Sequence, residues 1–310
     1  MKNKMIEKLK RLISAPTTAF DNEGQVNVKI VSQYAQFLNK NGITGVFVNG
    51  STGEGFSLDN EERMKLASVW VDAAPPDFKI IINCGHTSLN DAKMLAKHAQ
   101  DIGADGFGTI GPLYFKPKSP SILVDHCAKE AAAAPELPYY YYHIPAMSGV
   151  NLPMIEFLKI GESRIPNLQG IKFSNPWDLM DFSLCVDFQD QKYDVVYGQD
   201  QTLLSALVIG AKAAIGSTYN FLAPIFNKII DAYDKKELEK ARKLQVRVNK
   251  FLSVIFKHGK FFSACKEILN MLGLNLGPVR SPLQNLTKNE VKSLKEDLQA
   301  EGFFLHTCII

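Results

Sequence analysis

The 310-residue sequence has no block of five or six like charges, and its 35 basic and 32 acidic residues leave a net charge of only +3. This balance argues against a nucleic-acid groove and against a polybasic membrane anchor. The longest apolar stretch, residues 203–216, contains Lys212 and is shorter than the roughly 18 residues that a membrane span requires. We therefore expect a small molecule, and neither a nucleic acid nor a membrane, as the partner.

Cysteine is scarce, and no two cysteines form a C-x-x-C pair. An odd number of five scattered cysteines is typical of free thiols in a reducing compartment, so we expect a cytoplasmic protein. The basic N-terminus is interrupted by Glu7, and the apolar stretch after it is too short for a signal peptide before Pro16.

Apolar segments of strand length alternate with helical patterns along the first two thirds of the chain. The predicted strands end near residues 18, 49, 84, 110, 142, 172, 197 and 217. Intervals of roughly 30 residues indicate parallel βαβ units, and eight units predict a closed (β/α)8 TIM barrel of the α/β class. A doubly wound open sheet is the alternative, but residues 15–24 lack the G-x-G-x-x-G that it would normally carry after its first strand.

Helix signals fix further boundaries. Apolar residues from Val26 to Leu38 recur at helical spacing, and Asp59 with Glu62 forms a capping-box pattern. From about residue 221 onward only helical patterns occur. They predict a barrel over residues 1–232 and a helical extension of three further helices over residues 233–310, packed together as a single structural unit.

In a TIM barrel the active site lies at the C-terminal ends of the strands. After the second predicted strand, residues 50–55 read G-S-T-G-E-G, and the free backbone N–H groups of such a run can bind an anion. The run lacks the G-K-[ST] ending of a P-loop. A plain glycine-rich turn is the alternative interpretation.

The fifth and sixth predicted strands end in tyrosines and a lysine. Alternation over residues 139–142 places one pair, Tyr140 with Tyr142 or their neighbours, in the lumen. Lys172 would be buried at the barrel mouth, and burial lowers the pKa of a lysine, so the neutral amine can act as a nucleophile toward carbonyls. The alternative is that its side chain extends to solvent and stays charged. Tyr142 and Lys172 are 30 residues apart, so they should lie at one level on adjacent strands. No metal-ligand spacing surrounds His143, which we interpret as an ordinary hydrogen-bonded histidine.

Four motifs stand in order along the chain: G-S-T-G-E at 50–54, Y-x-I-P at 142–145, G-x-K at 170–172 and I-G-S-T-Y-N at 215–220. Together they resemble the pyruvate-dependent class I aldolases, the family typified by N-acetylneuraminate lyase and dihydrodipicolinate synthase. The resemblance implies a homotetrameric barrel with C-terminal helices. It also implies a covalent Schiff base with the substrate, and neither a metal nor an organic cofactor.

The resemblance assigns roles to individual positions. Lys172 would form the Schiff base, Tyr142 would exchange the proton, and Tyr114 would complete a proton relay from a neighbouring subunit. Ser51 and Thr52 would bind the substrate carboxylate, with Ser51 also assisting Tyr142. Five further positions correspond to those that hold the sugar chain: Ser174, Gly198, Asp200, Gln201 and Ser217.

Two positions distinguish branches of this family. Met147 stands where the synthase branch has an arginine, and an apolar side chain cannot pair with a second substrate carboxylate. The sequence then resembles the sialic acid lyase branch, which implies reversible cleavage of N-acetylneuraminate to N-acetylmannosamine and pyruvate. Gln201 replaces the glutamate of that branch's G-x-D-E motif, which leaves another 2-keto-3-deoxy sugar acid as an alternative substrate. A non-catalytic barrel that binds sialic or keto acids is the alternative from another class.

Overall fold

The computed structural model describes residues 8–309. Eight parallel strands close into a barrel in chain order, because the first strand pairs with both the second and the eighth. The strands are β1 (Arg11–Ser14), β2 (Gly45–Val48), β3 (Lys79–Asn83), β4 (Gly106–Ile110), β5 (Tyr139–His143), β6 (Leu168–Phe173), β7 (Asp194–Tyr197) and β8 (Ala213–Gly216). The predicted (β/α)8 barrel is confirmed.

Twelve α-helices accompany the strands within residues 8–309. They are α1 (Val31–Lys40), α2 (Asn60–Asp72), α3 (Leu89–Asp101), α4 (Pro120–Ala131), α5 (Pro145–Ser148), α6 (Met154–Arg164), α7 (Leu179–Gln191), α8 (Leu203–Ile209), α9 (Tyr219–Asp234), α10 (Leu238–Lys257), α11 (Phe261–Met271) and α12 (Lys288–Ala300). The three helices expected after the barrel are α10, α11 and α12. None of the helices in the described range is long and apolar enough to cross a membrane.

The capping box predicted at Asp59 is present at the start of α2, whereas the first helix starts later than predicted. The Asp59 side chain accepts a hydrogen bond from the Glu62 N–H at 2.8 Å, and the Glu62 carboxylate accepts one from the Asp59 N–H at 3.1 Å, which completes the capping box of α2. The first helix, by contrast, begins only at Val31. Val26 lies outside it because its backbone forms an antiparallel bridge with Phe20.

The core has two layers, one inside the barrel and one between the strands and the helices. Tyr140 and Tyr142 pack in the lumen beside Phe47, whereas Tyr139 and Tyr141 pack in the outer layer. This alternation along β5 turns the Tyr142 side chain toward the mouth of the barrel.

The C-terminal helices pack against the barrel helices beside the mouth. Helix α10 runs along α8 and α9, and α11 contacts α9. The five cysteines are buried free thiols, as expected.

Candidate active site

A cavity of about 260 Å³ opens at the C-terminal mouth of the barrel. Of the site residues predicted from the sequence, all but one line this cavity: Ser51, Thr52, Tyr142, Lys172, Ser174, Gly198, Asp200, Gln201 and Ser217. The exception is Tyr114. Its side chain is 81% exposed on the segment that follows β4, where its ring packs edge-on against that of Phe115.

Lys172 lies buried at the end of β6, with only 4% of its surface exposed. It is the register partner of Tyr142 on β5, as the 30-residue spacing predicts. The Lys172 Nζ lies 3.8 Å from the centre of the Tyr142 ring and 4.2 Å from that of Phe47. Burial lowers the pKa of Lys172 below its ordinary value, while Tyr142 and the Asp200 carboxylate act in the opposite direction. The amine therefore loses its proton more readily than a surface lysine does.

The glycine-rich run forms a tight loop after β2. Glu54 adopts a left-handed backbone with φ of 55°, and its N–H donates to the Ser51 carbonyl at 3.1 Å. A Cβ on Gly55 would lie 2.0 Å from the Asn49 carbonyl oxygen, so only glycine fits there. The loop is a turn, but one that brings Ser51 and Thr52 to the cavity wall.

Two glycines make room for polar side chains on the opposite wall. A Cβ on Gly198 would lie 1.9 Å from the Ser174 Oγ, and a Cβ on Gly216 would lie 1.9 Å from the Asp200 Oδ1. The Ser174 hydroxyl is buried and has no hydrogen-bond partner among residues 8–309. Asp200 accepts hydrogen bonds from the Thr218 N–H at 2.8 Å and the Thr218 hydroxyl at 2.6 Å. Burial raises the pKa of Asp200, and the two Thr218 bonds oppose that shift.

Gln201 is held by a neighbouring amide. Its Nε2 donates to the Gln199 Oε1 at 2.8 Å, and the Gln199 Nε2 donates to the Ser174 carbonyl at 3.2 Å. Nearby, the Thr52 and Ser217 hydroxyl oxygens lie 2.7 Å apart, which links the glycine-rich loop to the segment that follows β8.

The sequence did not identify one wall of the cavity. Apolar side chains from α10 and α11 line it, namely Leu252, Phe256, Phe261 and Phe262. The sequence offered one signal of this wall, which is the four-residue spacing that places Leu252 and Phe256 on one face of α10. That spacing indicates a buried helix face but not what covers it.

His143 lies outside the cavity, in the outer layer of the core. Its ring is buried against Phe173, with centroids 5.0 Å apart, and burial lowers its pKa to about 4. Its Nδ1 has no hydrogen-bond partner in the part of the chain that the structure describes. The ring is therefore a neutral core group, and the expectation of an ordinary hydrogen-bonded histidine is wrong at this nitrogen.

Residues 8–309 contain no group of three or more His, Cys, Asp or Glu side chains arranged to hold a metal ion. The reactive groups at the mouth are thus an amine, a phenol, several hydroxyls and one buried carboxylate. This set suits covalent chemistry on a carbonyl compound that also carries a carboxylate and hydroxyls.

Comparisons with known proteins agree with this chemistry. The model of the dihydrodipicolinate synthetase family matches residues 8–301. The N-acetylneuraminate lyase of Homo sapiens is 39% identical over 305 residues, which cover 97% of this chain and 95% of that protein. The solved N-acetylneuraminate lyase of Aliivibrio salmonicida superposes with a TM-score of 0.92 at 40% identity, covering 96% of this chain and 98% of that one. The solved N-acetylneuraminate lyase of Proteus mirabilis superposes with a TM-score of 0.92 at 35% identity, covering 96% of this chain and 100% of that one. The chain belongs to the dihydrodipicolinate synthetase family.

Proposed function

We propose that this chain is a Schiff-base aldolase that reversibly cleaves N-acetylneuraminate to N-acetylmannosamine and pyruvate. The observation that carries the proposal is the buried Lys172, with its lowered pKa, beside Tyr142 at the wall of the cavity at the barrel mouth. The names of the relatives support the choice of substrate, since both the human protein and the two bacterial structures are N-acetylneuraminate lyases.

Covalent attachment comes first. The neutral Lys172 amine attacks the C2 ketone of the open-chain sugar acid, and loss of water with uptake of one proton gives an iminium ion. The iminium then accepts the electron pair of the bond that breaks. We propose that no metal or organic cofactor takes part, because the protonated imine itself supplies the electron sink.

Bond cleavage requires removal of a proton. Tyr142 takes the proton of the C4 hydroxyl while it passes its own phenolic proton, through Ser51, to the substrate carboxylate. As the C4 oxygen becomes the aldehyde of N-acetylmannosamine, the C3–C4 electron pair moves into the iminium and gives an enamine. Protonation of the enamine at C3 and hydrolysis of the resulting imine release pyruvate and regenerate Lys172.

Binding is divided between the two walls. Ser51 and Thr52 on the glycine-rich loop hold the carboxylate. The groups that hold the polyol chain are Ser174, Gly198, Asp200, Gln201 and Ser217. Because Thr52 and Ser217 lie within hydrogen-bond distance, the two subsites adjoin each other.

Gln201 favours a second candidate substrate. An amide accepts hydrogen bonds from hydroxyls without charge assistance, so a long polyol gains less from it than from a carboxylate. Another 2-keto-3-deoxy sugar acid is therefore the alternative, and a higher kcat/KM for shorter keto acids than for N-acetylneuraminate would establish it. The non-catalytic alternative predicts no turnover of either.

We further propose that the enzyme is a cytoplasmic homotetramer in which a neighbouring subunit contributes Tyr114. The exposure of Tyr114 and Phe115, at 81% and 85%, supports a subunit contact there. We also propose that residues 233–310 form a single structural unit with the barrel of residues 1–232, and the α10 and α11 side chains in the cavity wall support this.

The test is to incubate the protein with pyruvate and borohydride and to map the modified peptide. We expect the mass of a reduced pyruvyl group on the peptide that contains Lys172, together with pyruvate release from N-acetylneuraminate in a coupled assay. Lys266 is an internal control because it is also buried but does not line the cavity. An unmodified Lys172 would refute the proposed function.

A further inference from the structure

The chain contains a second buried lysine, which does not line the cavity at the barrel mouth. Lys266 on α11 pairs with Glu54 of the glycine-rich loop at 2.8 Å, and the two side chains are 2% and 0% exposed. The Lys266 ammonium also donates to the Pro278 carbonyl at 2.6 Å. An ion pair so completely removed from water requires close geometry to offset its desolvation.

Arg280 holds the same carboxylate from a second direction. Its backbone N–H donates to the Glu54 Oε2 at 2.8 Å. Its guanidinium donates to the Ser57 carbonyl at 3.0 Å and to the Glu62 carboxylate at 2.6 Å. Arg280 therefore attaches the segment after α11 at three points. These are Glu54 in the glycine-rich loop, Ser57 just after that loop, and Glu62 in the first turn of α2.

The backbone of Glu54 explains why the loop needs such contacts. Its φ of 55° lies in the left-handed region, which residues with a side chain seldom adopt without support. The Glu54 N–H donates to the Ser51 carbonyl, so a shift of Glu54 is passed directly to Ser51 and Thr52. Neither Glu54, Lys266 nor Arg280 lines the cavity.

We infer that Glu54, Lys266 and Arg280 are positioning residues through which the C-terminal segment fixes the carboxylate-binding loop. The inference rests on the proposed function, in which Ser51 and Thr52 bind the substrate carboxylate. The three residues set the affinity for pyruvate by holding the loop and do not touch the substrate.

Three variants separate loop positioning from general stability. Glu54→Gln keeps the shape of the side chain and an acceptor for the Arg280 N–H but removes the charge. The double variant Glu54→Gln with Lys266→Met leaves no unpaired buried charge, so we expect it to fold. Arg280→Lys keeps the backbone N–H and the positive charge but loses the forked guanidinium contacts.

A matched control is Glu130→Gln. Glu130 is a carboxylate on α4 that is 1% exposed and accepts a hydrogen bond from the Thr109 hydroxyl at 2.6 Å. It undergoes the same chemical change as Glu54 but has no contact with the loop. Circular dichroism and thermal melts establish that each protein is folded.

The readout is the pyruvate concentration that gives half-maximal borohydride trapping on Lys172. We expect Glu54→Gln and the double variant to raise it by about tenfold or more, since small displacements of binding groups have effects of this size. We expect Arg280→Lys to raise it less and Glu130→Gln to leave it unchanged. Trapping at saturating pyruvate should persist in all of them.

The outcomes discriminate between the two proposals. A folded Glu54→Gln variant with wild-type half-saturation overturns the inference. A double variant that recovers both wild-type stability and wild-type half-saturation also overturns the inference, because Glu54 and Lys266 would then contribute only to the stability of the fold. Absence of trapping in the wild-type protein instead refutes the proposed function, and the inference with it.

Discussion

Tyr142 and Lys172 are direct register partners on β5 and β6, and the Lys172 Nζ lies 3.8 Å from the centre of the Tyr142 ring. Both groups are carried by adjacent strands of the barrel wall, not by loops. Strand pairing therefore fixes the distance between the amine and the phenol, and a change at either position should alter chemistry more than folding.

Tyr142→Phe separates imine formation from bond cleavage. The phenyl ring still packs against Phe47 and Lys172, so we expect pyruvate to remain trapped on Lys172. Without the phenol the C4 proton has no acceptor, and kcat for cleavage should fall by about 10²-fold or more. Coupled pyruvate release measures kcat, and a loss of less than tenfold would contradict the role given to Tyr142.

Asp200→Asn should lower the pKa of Lys172. The Asp200 carboxylate stabilises the ammonium, so its removal favours the neutral amine. As the pH falls, protonation stops amine attack, and in the variant this loss should occur at lower pH than in the wild type. The pH profile of the rate of imine formation measures the shift.

Asp178→Asn is the matched control for that experiment. Asp178 caps α7 by accepting from the Asp181 N–H at 3.0 Å, and asparagine caps helices equally well. Asp178 is not among the groups that shift the pKa of Lys172. A wild-type pH profile in Asp200→Asn, or an equal shift in both variants, would argue against this electrostatic role.

Gln201→Glu tests how the polyol is held. A carboxylate would lose the hydrogen bond donated to Gln199 but would offer a charged acceptor to substrate hydroxyls. A gain of about 1 kcal/mol per bond corresponds to about a fivefold lower KM for N-acetylneuraminate. Half-saturation by pyruvate should not change. Gln299→Glu on the exposed face of α12 controls for net charge, and an unchanged KM in Gln201→Glu would show that position 201 does not contact the polyol.

Phe256→Ala tests the apolar wall of the cavity. Because Phe256 is 51% exposed, we expect the alanine variant to lose less than about 1 kcal/mol in the free energy of unfolding. Because Phe256 lines the cavity, we expect a several-fold higher KM for the nine-carbon substrate. The matched control is Phe251, five residues earlier on α10 and fully buried, whose replacement by alanine should lower the free energy of unfolding by about 3–5 kcal/mol. Denaturant titrations and steady-state kinetics measure the two effects, and a wild-type KM in Phe256→Ala would exclude a substrate contact there.

Tyr114 and Lys172 provide a complementation test of the proposed assembly. Tyr114→Phe and Lys172→Ala should each be inactive or nearly so. If Tyr114 acts across a subunit boundary, mixed oligomers of the two variants contain some sites with both native residues. Dissociating and reassembling the mixture should then restore turnover, whereas reassembly of either variant alone should not. A mixture as inactive as its components would place Tyr114 outside the neighbouring site.

The periodicity of the sequence predicted the structural features that depend on nearby residues or that repeat along the chain. The spacing between Tyr142 and Lys172 predicted their shared level because each βα unit advances the barrel by one strand. The Asp59 capping box was visible because its two partners are three residues apart. The side-chain alternation of β5 also follows from local geometry, although only the packed structure shows that Tyr140 and Tyr142 are the pair in the lumen.

Contacts between distant segments were not predictable in this way. Leu252 and Phe256 show the apolar spacing of any packed helix, and that pattern does not reveal that one side of it borders a cavity. Glu54 could be recognised only as part of a motif, because its contact with Arg280 spans 226 positions of the chain. Val26 matched the helical period, but pairing with Phe20 outweighed that local preference.

The contact between Glu54 and Arg280 also bears on the order in which the molecule is completed during synthesis. All eight strands precede α10, so a nascent chain can carry a whole barrel while Glu54 still lacks both of its partners. The loop at the mouth then gains its buried cation and its last backbone donor only when residues 266 and 280 have left the ribosome. Under the proposed function, the receptor for the substrate carboxylate is thus completed later than the barrel, and a chain that stops short of these residues would contain Lys172 without that receptor.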